Sequence, residues 1–397
     1  MARTSATKES STREAWSFVL AIFVLSRLLF LGAGALAAAY LPWAVPAGDV
    51  LEPPGFLGYW AHWDGAWYSE VATGGYGERA PTSTAFFPLY PMLMRLGIAF
   101  RGGPALWGVL ISLSAVLLAL FFLYRLAENF YGTRAGRAAT LSLAFFPTAF
   151  FLNAVYTEAL FLALTMGAVW AAHVRRNLLL AGLLGALATA TRNLGVILLV
   201  PLLFEWLRNR REFGLKGLAG IALTPAGLLA YVTFLWGRFA QPLVFAHQQS
   251  AHWGRELENP LTTLADAWWA ARDGVKYLLD PATLFLGTFP GPTLDASNTL
   301  NFAFLILSLA LLAVGFAVLP RGLWIYSLLT IVLPVLTPAP SFPLMSLPRF
   351  VLGAFPVFLV LGYLLSRSRP VLVLWLLFSA GSGVALTVLF TTWRWVA

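Results

Sequence analysis

One aspartate lies within an unusually aromatic stretch of the chain, residues 60–72, which reads WAHWDGAWYSEVA. Its carboxylate could act as a general base that removes a proton from a substrate hydroxyl. At about 100° per residue, Trp60, Trp63 and Trp67 share one narrow face of a helix. Since tryptophan is favoured at membrane interfaces, this spacing predicts a helix that lies flat at the membrane surface, with Asp64 at the edge of the aromatic face. The alternative interpretation is that Asp64 only faces water or caps a turn.

Three other ionisable residues adjoin predicted helix ends. Arg192 follows a short apolar segment and Arg349 follows Pro348, so each could bind a phosphate group through charge-assisted hydrogen bonds. Arg192 could instead be an arginine that only extends from a helix end to the interface. Glu158 begins an apolar segment, where it either complements the helix dipole or supplies an acceptor contact or a second carboxylate near Asp64.

A second polar cluster occupies residues 247–255. His247, Gln248, His252 and Arg255 could bind phosphate oxygens or sugar hydroxyls. The two histidines could also bind a metal ion, but the flanking sequence offers no further ligands at convincing spacing. No metal site is therefore predicted, although a divalent ion is left open. The chain contains no cysteine, which excludes a disulfide framework and a thiolate metal site.

The composition indicates a membrane protein. Of 397 residues, 59% are hydrophobic and 11% are charged, whereas soluble domains carry about 25% charged residues. Apolar stretches of about 20 residues, long enough to span a bilayer, recur along the chain. The pattern predicts an all-α polytopic membrane protein with one integral domain, residues 1–397. About eleven helices are predicted: 16–40, 104–126, 138–153, 155–172, 178–191, 193–207, 218–238, 300–319, 323–337, 350–365 and 370–391.

Charges are distributed unevenly between the two sides of this helix map. With the N-terminus inside, the inner segments carry 15 basic and 5 acidic residues, and the outer segments carry 10 basic and 12 acidic residues. Because positive charge is retained on the cytoplasmic side, residues 1–14 are predicted to form a polar cytoplasmic tail. Residues 41–101 and 239–298 are then large outer loops, and long loops tend to carry function. The net charge of +9 reflects this orientation, so no nucleic-acid partner is expected.

Several short motifs follow one another in a distinctive order. They are HWDG at 62–65, WY at 67–68, GY at 75–76, AFFPLYP at 85–91, FPTAFF at 146–151, YTEAL at 156–160 and ATRNLG at 190–195. In this order they resemble the PIG-V-like mannosyltransferases, which belong to the GT-C superfamily of integral membrane glycosyltransferases. The resemblance covers most of roughly the first 200 residues and weakens after Trp236.

The resemblance implies a GT-C-like fold and a polyprenyl- or dolichyl-phosphate mannose donor. It also implies a catalytic carboxylate in the first outer loop, which is Asp64 in this chain. Aromatic and polar residues of the motifs, with one glutamine of the second loop, are candidates for contacts with the sugar or the acceptor, although the rings could instead form an interfacial belt. These candidates are His62, Trp63, Tyr68, Tyr76, Phe87, Tyr90, Tyr156, Glu158, Asn193 and Gln248.

Direct attack of an acceptor hydroxyl on the anomeric carbon would invert that centre and would require one essential carboxylate. The absence of cysteine and the richness in Ala, Leu and Arg suggest a prokaryotic relative, active at the extracytoplasmic face of the plasma membrane. The predicted partners are membrane lipid, a lipid-linked sugar donor and a glycan, glycolipid or protein acceptor; no cofactor is assigned. A transporter or flippase for a lipid-linked sugar is the alternative, but no internal repeat of the kind many transporters carry is evident.

Overall fold

The computed structural model describes residues 2–44, 57–77, 81–287 and 292–396. Within those ranges the regular structure is helical apart from one isolated bridge between Ala339 and Phe342. Parts of the two predicted outer loops, residues 45–56, 78–80 and 288–291, lie outside the described residues. The predicted all-α class is confirmed.

The described α-helices number eighteen, with four short 3-10 segments between them. In chain order the α-helices are α1 Ala2–Tyr40, α2 Asp64–Gly74, α3 Leu89–Ile98, α4 Pro104–Tyr131, α5 Thr133–Ala144, α6 Glu158–His173, α7 Leu178–Thr191, α8 Leu199–Arg208, α9 Arg210–Ala222, α10 Ala226–Phe239, α11 Val244–Trp253, α12 Pro260–Leu278, α13 Pro281–Leu286, α14 Pro292–Val318, α15 Arg321–Leu336, α16 Leu347–Gly353, α17 Pro356–Leu365 and α18 Arg369–Thr391. The 3-10 segments are Gly58–Trp60, Thr82–Ala85, Ala149–Leu152 and Asn193–Leu198.

Five helical stretches among the described residues are long and apolar enough to cross a bilayer, and the bent pair α16 and α17 would make a sixth. The five are Thr12–Tyr40, Pro104–Tyr131, Arg210–Phe239, Thr293–Val318 and Arg369–Thr391. Three shorter apolar helices, α6, α7 and α15, pack among them. The helices α4, α5, α6 and α17 contact one another in the buried centre of the molecule, while α1 packs along α18 and α12 packs along α14. The polytopic membrane architecture predicted from hydropathy is therefore confirmed.

Four predicted helices are interrupted in the structure. Residues 138–153 contain the end of α5 and a 3-10 segment, residues 193–207 begin as a 3-10 segment, residues 218–238 are divided between α9 and α10, and residues 350–365 are divided between α16 and α17, which meet at a bend of 80°. Pro147, Pro225 and Pro356 lie at three of these interruptions. Proline lacks the backbone N–H and collides with the preceding turn, so an α-helix ends before it.

The outer loops contain more helix than the sequence indicated. The helices α3, α11, α12 and α13 were not predicted; α3 packs against α2 and α4, and α12 packs along α14. The prediction of a flat interfacial helix that includes Trp60 and Trp63 is wrong, because α2 begins only at Asp64. Trp63 has a positive φ of 56°, which separates it from the helix, and Trp60 is fully buried with its ring centre 6.1 Å from that of Phe390. Tertiary packing takes Trp60 away from the membrane surface.

The buried Arg27 of α1 stabilises one of the helix interruptions. Its Nη1 donates to the side-chain oxygen of Asn153 at 2.7 Å and to the carbonyl of Ala149 at 3.2 Å, and its Nη2 donates to the carbonyl of Ala144 at 2.8 Å. Carbonyls at the end of a helix lack intrahelical donors. A basic residue in a membrane helix thus supplies hydrogen-bond donors to the backbone carbonyls of a neighbouring interrupted helix.

Glycines allow the backbone of α7 to contact the backbones of α9 and α10 directly. A Cβ atom at Gly182 would lie 1.7 Å from the carbonyl oxygen of Gly220, and one at Gly227 would lie 2.0 Å from the carbonyl oxygen of Ala186. No side chain fits at such separations. Small residues at these positions are the usual means by which membrane helices pack closely.

We expect Gly227→Ala to push α10 away from α7 and to lower stability by about 1–3 kcal/mol, the usual cost of overpacking. The measurement is the apparent melting temperature of the purified protein in detergent. Gly237→Ala is the matched control, since Gly237 lies in the same helix and a Cβ there meets no atom within 4 Å. An equal melting temperature for the two variants would contradict the close helix approach.

Candidate active site

Four charged side chains from four separate segments form one continuous chain of ion pairs. The Oδ2 of Asp64 lies 2.7 Å from Nη1 of Arg349, and Nε of Arg349 donates to Oε1 of Glu158 at 2.8 Å. The same Glu158 oxygen accepts from Nη1 of Arg192 at 2.7 Å. Acid and base therefore alternate along the chain, and Arg349 holds the two carboxylates together.

Each of these residues lies at or near the end of a helix, where the backbone can turn a polar side chain inwards. Asp64 is the first residue of α2 and Glu158 is the first residue of α6, so both carboxylates complement the positive end of a helix dipole. Arg192 has an extended backbone between α7 and the following 3-10 segment. Arg349 lies in the short helix α16, next to its bend with α17.

Exposure rises outwards from Glu158 in both directions along the ion-pair chain. The exposed fraction of the side chain is 1% for Glu158, 9% for Arg349, 18% for Arg192 and 25% for Asp64. A buried charge is tolerated only when it is paired and hydrogen-bonded. Glu158 therefore pairs with Arg192 and Arg349 from the protein interior, whereas Asp64 has the more accessible carboxylate.

The FPTAFF and YTEAL motifs form the support of Arg349. Its guanidinium carbon lies 4.7 Å from the ring centre of Tyr156 and 5.5 Å from that of Phe151, distances typical of cation–π contact. The hydroxyl of Tyr156 donates to the carbonyl of His62 at 3.1 Å, which ties this support to the segment before Asp64. The motifs therefore position the arginine and the aspartate relative to each other.

A cavity of about 540 Å³ opens beside the ion pairs. Seven of the sixteen residues predicted for the site line it: Asp64, Tyr68, Phe87, Arg192, Asn193, Arg255 and Arg349. The cavity thus joins one accessible carboxylate to three arginines. Its remaining wall is largely apolar and includes Leu257, Leu333 and Phe350.

Arg255 is the third arginine that lines the cavity, and it belongs to the second predicted outer loop. It donates to the carbonyl of Met345 at 2.8 Å and to the carbonyl of Thr337 at 3.3 Å. Burial, followed by the neighbouring positive charge of Arg349, lowers the pKa of Arg255 to about 10. The guanidinium nevertheless remains protonated at neutral pH, so it can bind an anion.

Nine predicted residues do not line the cavity: His62, Trp63, Tyr76, Tyr90, Tyr156, Glu158, His247, Gln248 and His252. Two tyrosines among them form hydrogen bonds within the protein: the hydroxyl of Tyr76 donates to the carbonyl of Phe86 at 2.6 Å, and that of Tyr90 donates to the carbonyl of Gly108 at 2.8 Å. His247 and His252 are exposed. These positions favour structural roles for the two tyrosines.

The helical period explains the outcome in the second loop. In α11 the cavity is lined by Phe245, Gln249 and Trp253, which are four residues apart and share one helix face. His247 lies on the opposite face, whereas His252 lies at the edge of the same face but is exposed and does not line the cavity. Had residues 244–253 been predicted as a helix, this spacing would have singled out Gln249 and Trp253, whereas the sequence offered no signal for Trp395, which also lines the cavity.

Among the described residues, no group of three or more His, Asp or Glu side chains is arranged to hold a metal ion.

His62 lies in the packed wall beneath the site. Its Nδ1 donates to the carbonyl of Phe390 at 3.1 Å, and its ring stacks on Trp393 with a centre-to-centre distance of 4.1 Å. Burial lowers the pKa of His62 to about 3. The imidazole is therefore neutral at physiological pH and links the first outer loop to the segment after α18.

We expect Glu158→Gln to lower the free energy of unfolding by about 3–5 kcal/mol, because it removes the buried negative charge that Arg192 and Arg349 share. Chemical denaturation in detergent measures the change. Glu212→Gln is the matched control, since Glu212 also pairs with an arginine, Arg176, but is 55% exposed. The control should unfold like the wild type. Equal losses in both variants would contradict a special role for the buried pairs.

We expect the protein to lose stability as the pH falls below about 6.5, because the unfolded chain protonates His62 at its ordinary pKa whereas the folded chain resists protonation down to about 3. This group contributes up to about 1.4 kcal/mol per pH unit in that window. Denaturation at pH 7 and pH 5 measures the difference, which His62→Asn should reduce and the exposed control His252→Asn should not. If the free energy of unfolding of His62→Asn depends on pH as strongly as that of the wild type, His62 is not the cause of the loss.

The comparison with known families agrees with the resemblance noted in the sequence. Residues 52–210 match the family model described as Mannosyltransferase (PIG-V). No curated protein matches the chain. A crystal structure of the Archaeoglobus fulgidus oligosaccharyltransferase, in complex with zinc and sulfate, is similar with a TM-score of 0.43 and 15% identity, over 94% of this chain and 52% of that one; this chain thus spans about half its length. Residues 52–210, which contain Asp64, Glu158 and Arg192, are thus similar to the PIG-V mannosyltransferase family.

Proposed function

We propose that this protein transfers a mannosyl or related hexosyl unit from a polyprenyl-phosphate donor to an acceptor hydroxyl, with inversion, at the extracytoplasmic face of a prokaryotic plasma membrane. The observation that carries the proposal is the cavity in which the carboxylate of Asp64 and three arginines meet. The family match supports the sugar and the class of reaction.

The charges of the site favour an anionic donor. Arg192, Arg255 and Arg349 carry three positive charges, and Asp64 and Glu158 carry two negative charges, so one positive charge is unmatched among these groups. Arginine forms charge-assisted, often bidentate hydrogen bonds with phosphate oxygens. A phosphate monoanion linked to a sugar would balance the cavity.

The apolar part of the wall suits the lipid half of the donor. Leu257, Leu333 and Phe350 share the cavity with the arginines, so a polyprenyl chain could lie along them while its phosphate contacts the guanidinium groups. The charge asymmetry of the chain supports the extracytoplasmic side, because all of the site residues come from segments that the positive-inside pattern assigns to that side. The acceptor could be a glycan, a glycolipid or a protein.

The proposed reaction uses Asp64 as the general base. Its Oδ2 forms the ion pair with Arg349, which leaves the other carboxylate oxygen to take the proton of the acceptor hydroxyl. The hydroxyl oxygen forms a bond to the anomeric carbon on the face opposite the phosphate, and the bond from that carbon to the phosphate oxygen breaks. Polyprenyl phosphate leaves with the electron pair, and the arginines stabilise its developing charge. One carboxylate and one displacement invert the anomeric configuration.

We expect Asp64→Asn to reduce transfer from synthetic polyprenyl-phosphate mannose at least about 100-fold, the usual contribution of a general base. The measurement is product formation by purified protein with a panel of acceptors, and the anomeric configuration of the product by NMR. Glu70→Gln is the matched control, because it makes the same chemical change in the same helix away from the cavity lining.

Three results would go against this proposal. If Asp64→Asn transfers as fast as the wild type, the base is another group. A product that retains the donor configuration would exclude the single displacement. If the wild type transfers no sugar but moves labelled lipid-linked sugar across liposome bilayers, the protein is a transporter.

A further inference from the structure

The segment after α18, residues 392–396, folds back onto the first outer loop and is held there by several bonds. The carbonyl of Thr392 accepts from the backbone of Ala44 at 2.9 Å, and Nη1 of the buried Arg394 donates to the carbonyl of Pro42 at 3.0 Å. Trp393 adopts a positive φ of 64°, and its ring stacks on His62. These contacts fix residues 392–396 in place as part of the wall around the site.

This arrangement presents one side chain to the cavity. Residues 392, 393, 394 and 396 are buried, whereas Trp395 is half-buried and lines the same cavity as Asp64. The ring of Trp395 meets the ring of Trp63 edge to face, with centres 5.0 Å apart and planes at 83°. Because Trp63 directly precedes Asp64, the exposed face of Trp395 lies close to the proposed base.

We propose that Trp395 is a specificity-determining residue whose indole stacks on a pyranose ring bound beside Asp64. The inference rests on the proposed transferase function, since that function brings sugar rings into this cavity. A pyranose ring presents an apolar face of C–H groups, and an aromatic wall with a few fixed polar groups orients such a ligand. The pyranose is the hexosyl group of the donor or a sugar ring of the acceptor, and kinetics distinguish the two.

The contacts of Trp395 differ from those of the paired arginines. Arg349 pairs with Asp64 and Glu158 and Arg192 pairs with Glu158, whereas Trp395 contacts Trp63, the residue before Asp64. Loss of Trp395 should therefore weaken binding of the sugar and leave binding of polyprenyl phosphate unchanged. A merely structural role would not produce this division.

The test compares Trp395→Ala, Trp395→Phe and the wild type in steady-state transfer from polyprenyl-phosphate mannose. We expect the alanine variant to raise KM for the donor or for a saccharide acceptor about 3- to 10-fold with little change in kcat, and the phenylalanine variant to restore most of the loss. The inhibition constant of sugar-free polyprenyl phosphate should stay the same in all three proteins. Trp236→Ala is the control, because Trp236 is 65% exposed on α10 and does not line the cavity.

Each outcome decides between the interpretations. A rise in the donor KM identifies the donor sugar as the stacked ring, and a rise in the acceptor KM identifies the acceptor. Unchanged KM values in Trp395→Ala overturn the stacking role while the proposed function stands. A parallel rise in the inhibition constant of polyprenyl phosphate also overturns it, because Trp395 would then contact the lipid phosphate. If the wild type transfers no sugar, both the proposed function and the stacking role are contradicted.

Discussion

The structure depends on the pairing of four charges inside a bundle of apolar helices. Glu158, almost completely buried, is stable as an anion only because Arg192 and Arg349 both donate to it. Arg349 in turn holds Asp64, so the carboxylate proposed to carry out catalysis is oriented by a group that the fold cannot omit. The contacts that stabilise the buried charges are thus also those that would orient the proposed base.

That pairing requires interrupted helices. A continuous α-helix satisfies its own backbone and directs its side chains outwards, whereas the ends of α2, α6, α7 and α16 bring charged side chains to one region. Each interruption leaves backbone groups that need partners at membrane depth. Arg27 supplies donors to the carbonyls of Ala144 and Ala149, which shows how one buried cation can stabilise such a break.

The cavity combines side chains of different chemistry. Three arginines, apolar residues such as Leu333 and aromatic rings such as those of Tyr68 and Trp395 line it together with Asp64. A phosphate, a lipid chain and a sugar ring each find a suitable surface there, which is the combination that a lipid-linked sugar presents. The segment that carries Trp395 lies far along the chain from residues 52–210, so the wall of the site is completed outside the part that matches the family.

The sequence by itself determined the membrane class and the long apolar helices, and its helix map put Asp64, Glu158, Arg192 and Arg349 at the same side, because hydropathy and charge are local properties. The pairing of these four side chains is a result of the tertiary structure. Only the tertiary structure decided which aromatic residues face the cavity. Trp60 was predicted at the membrane surface but is buried, and Trp395 carried no signal yet lines the site. The direction of these rings depends on the turn at Trp63 and on contacts between segments more than 300 residues apart, such as that of His62 with Phe390. No local pattern contains that information.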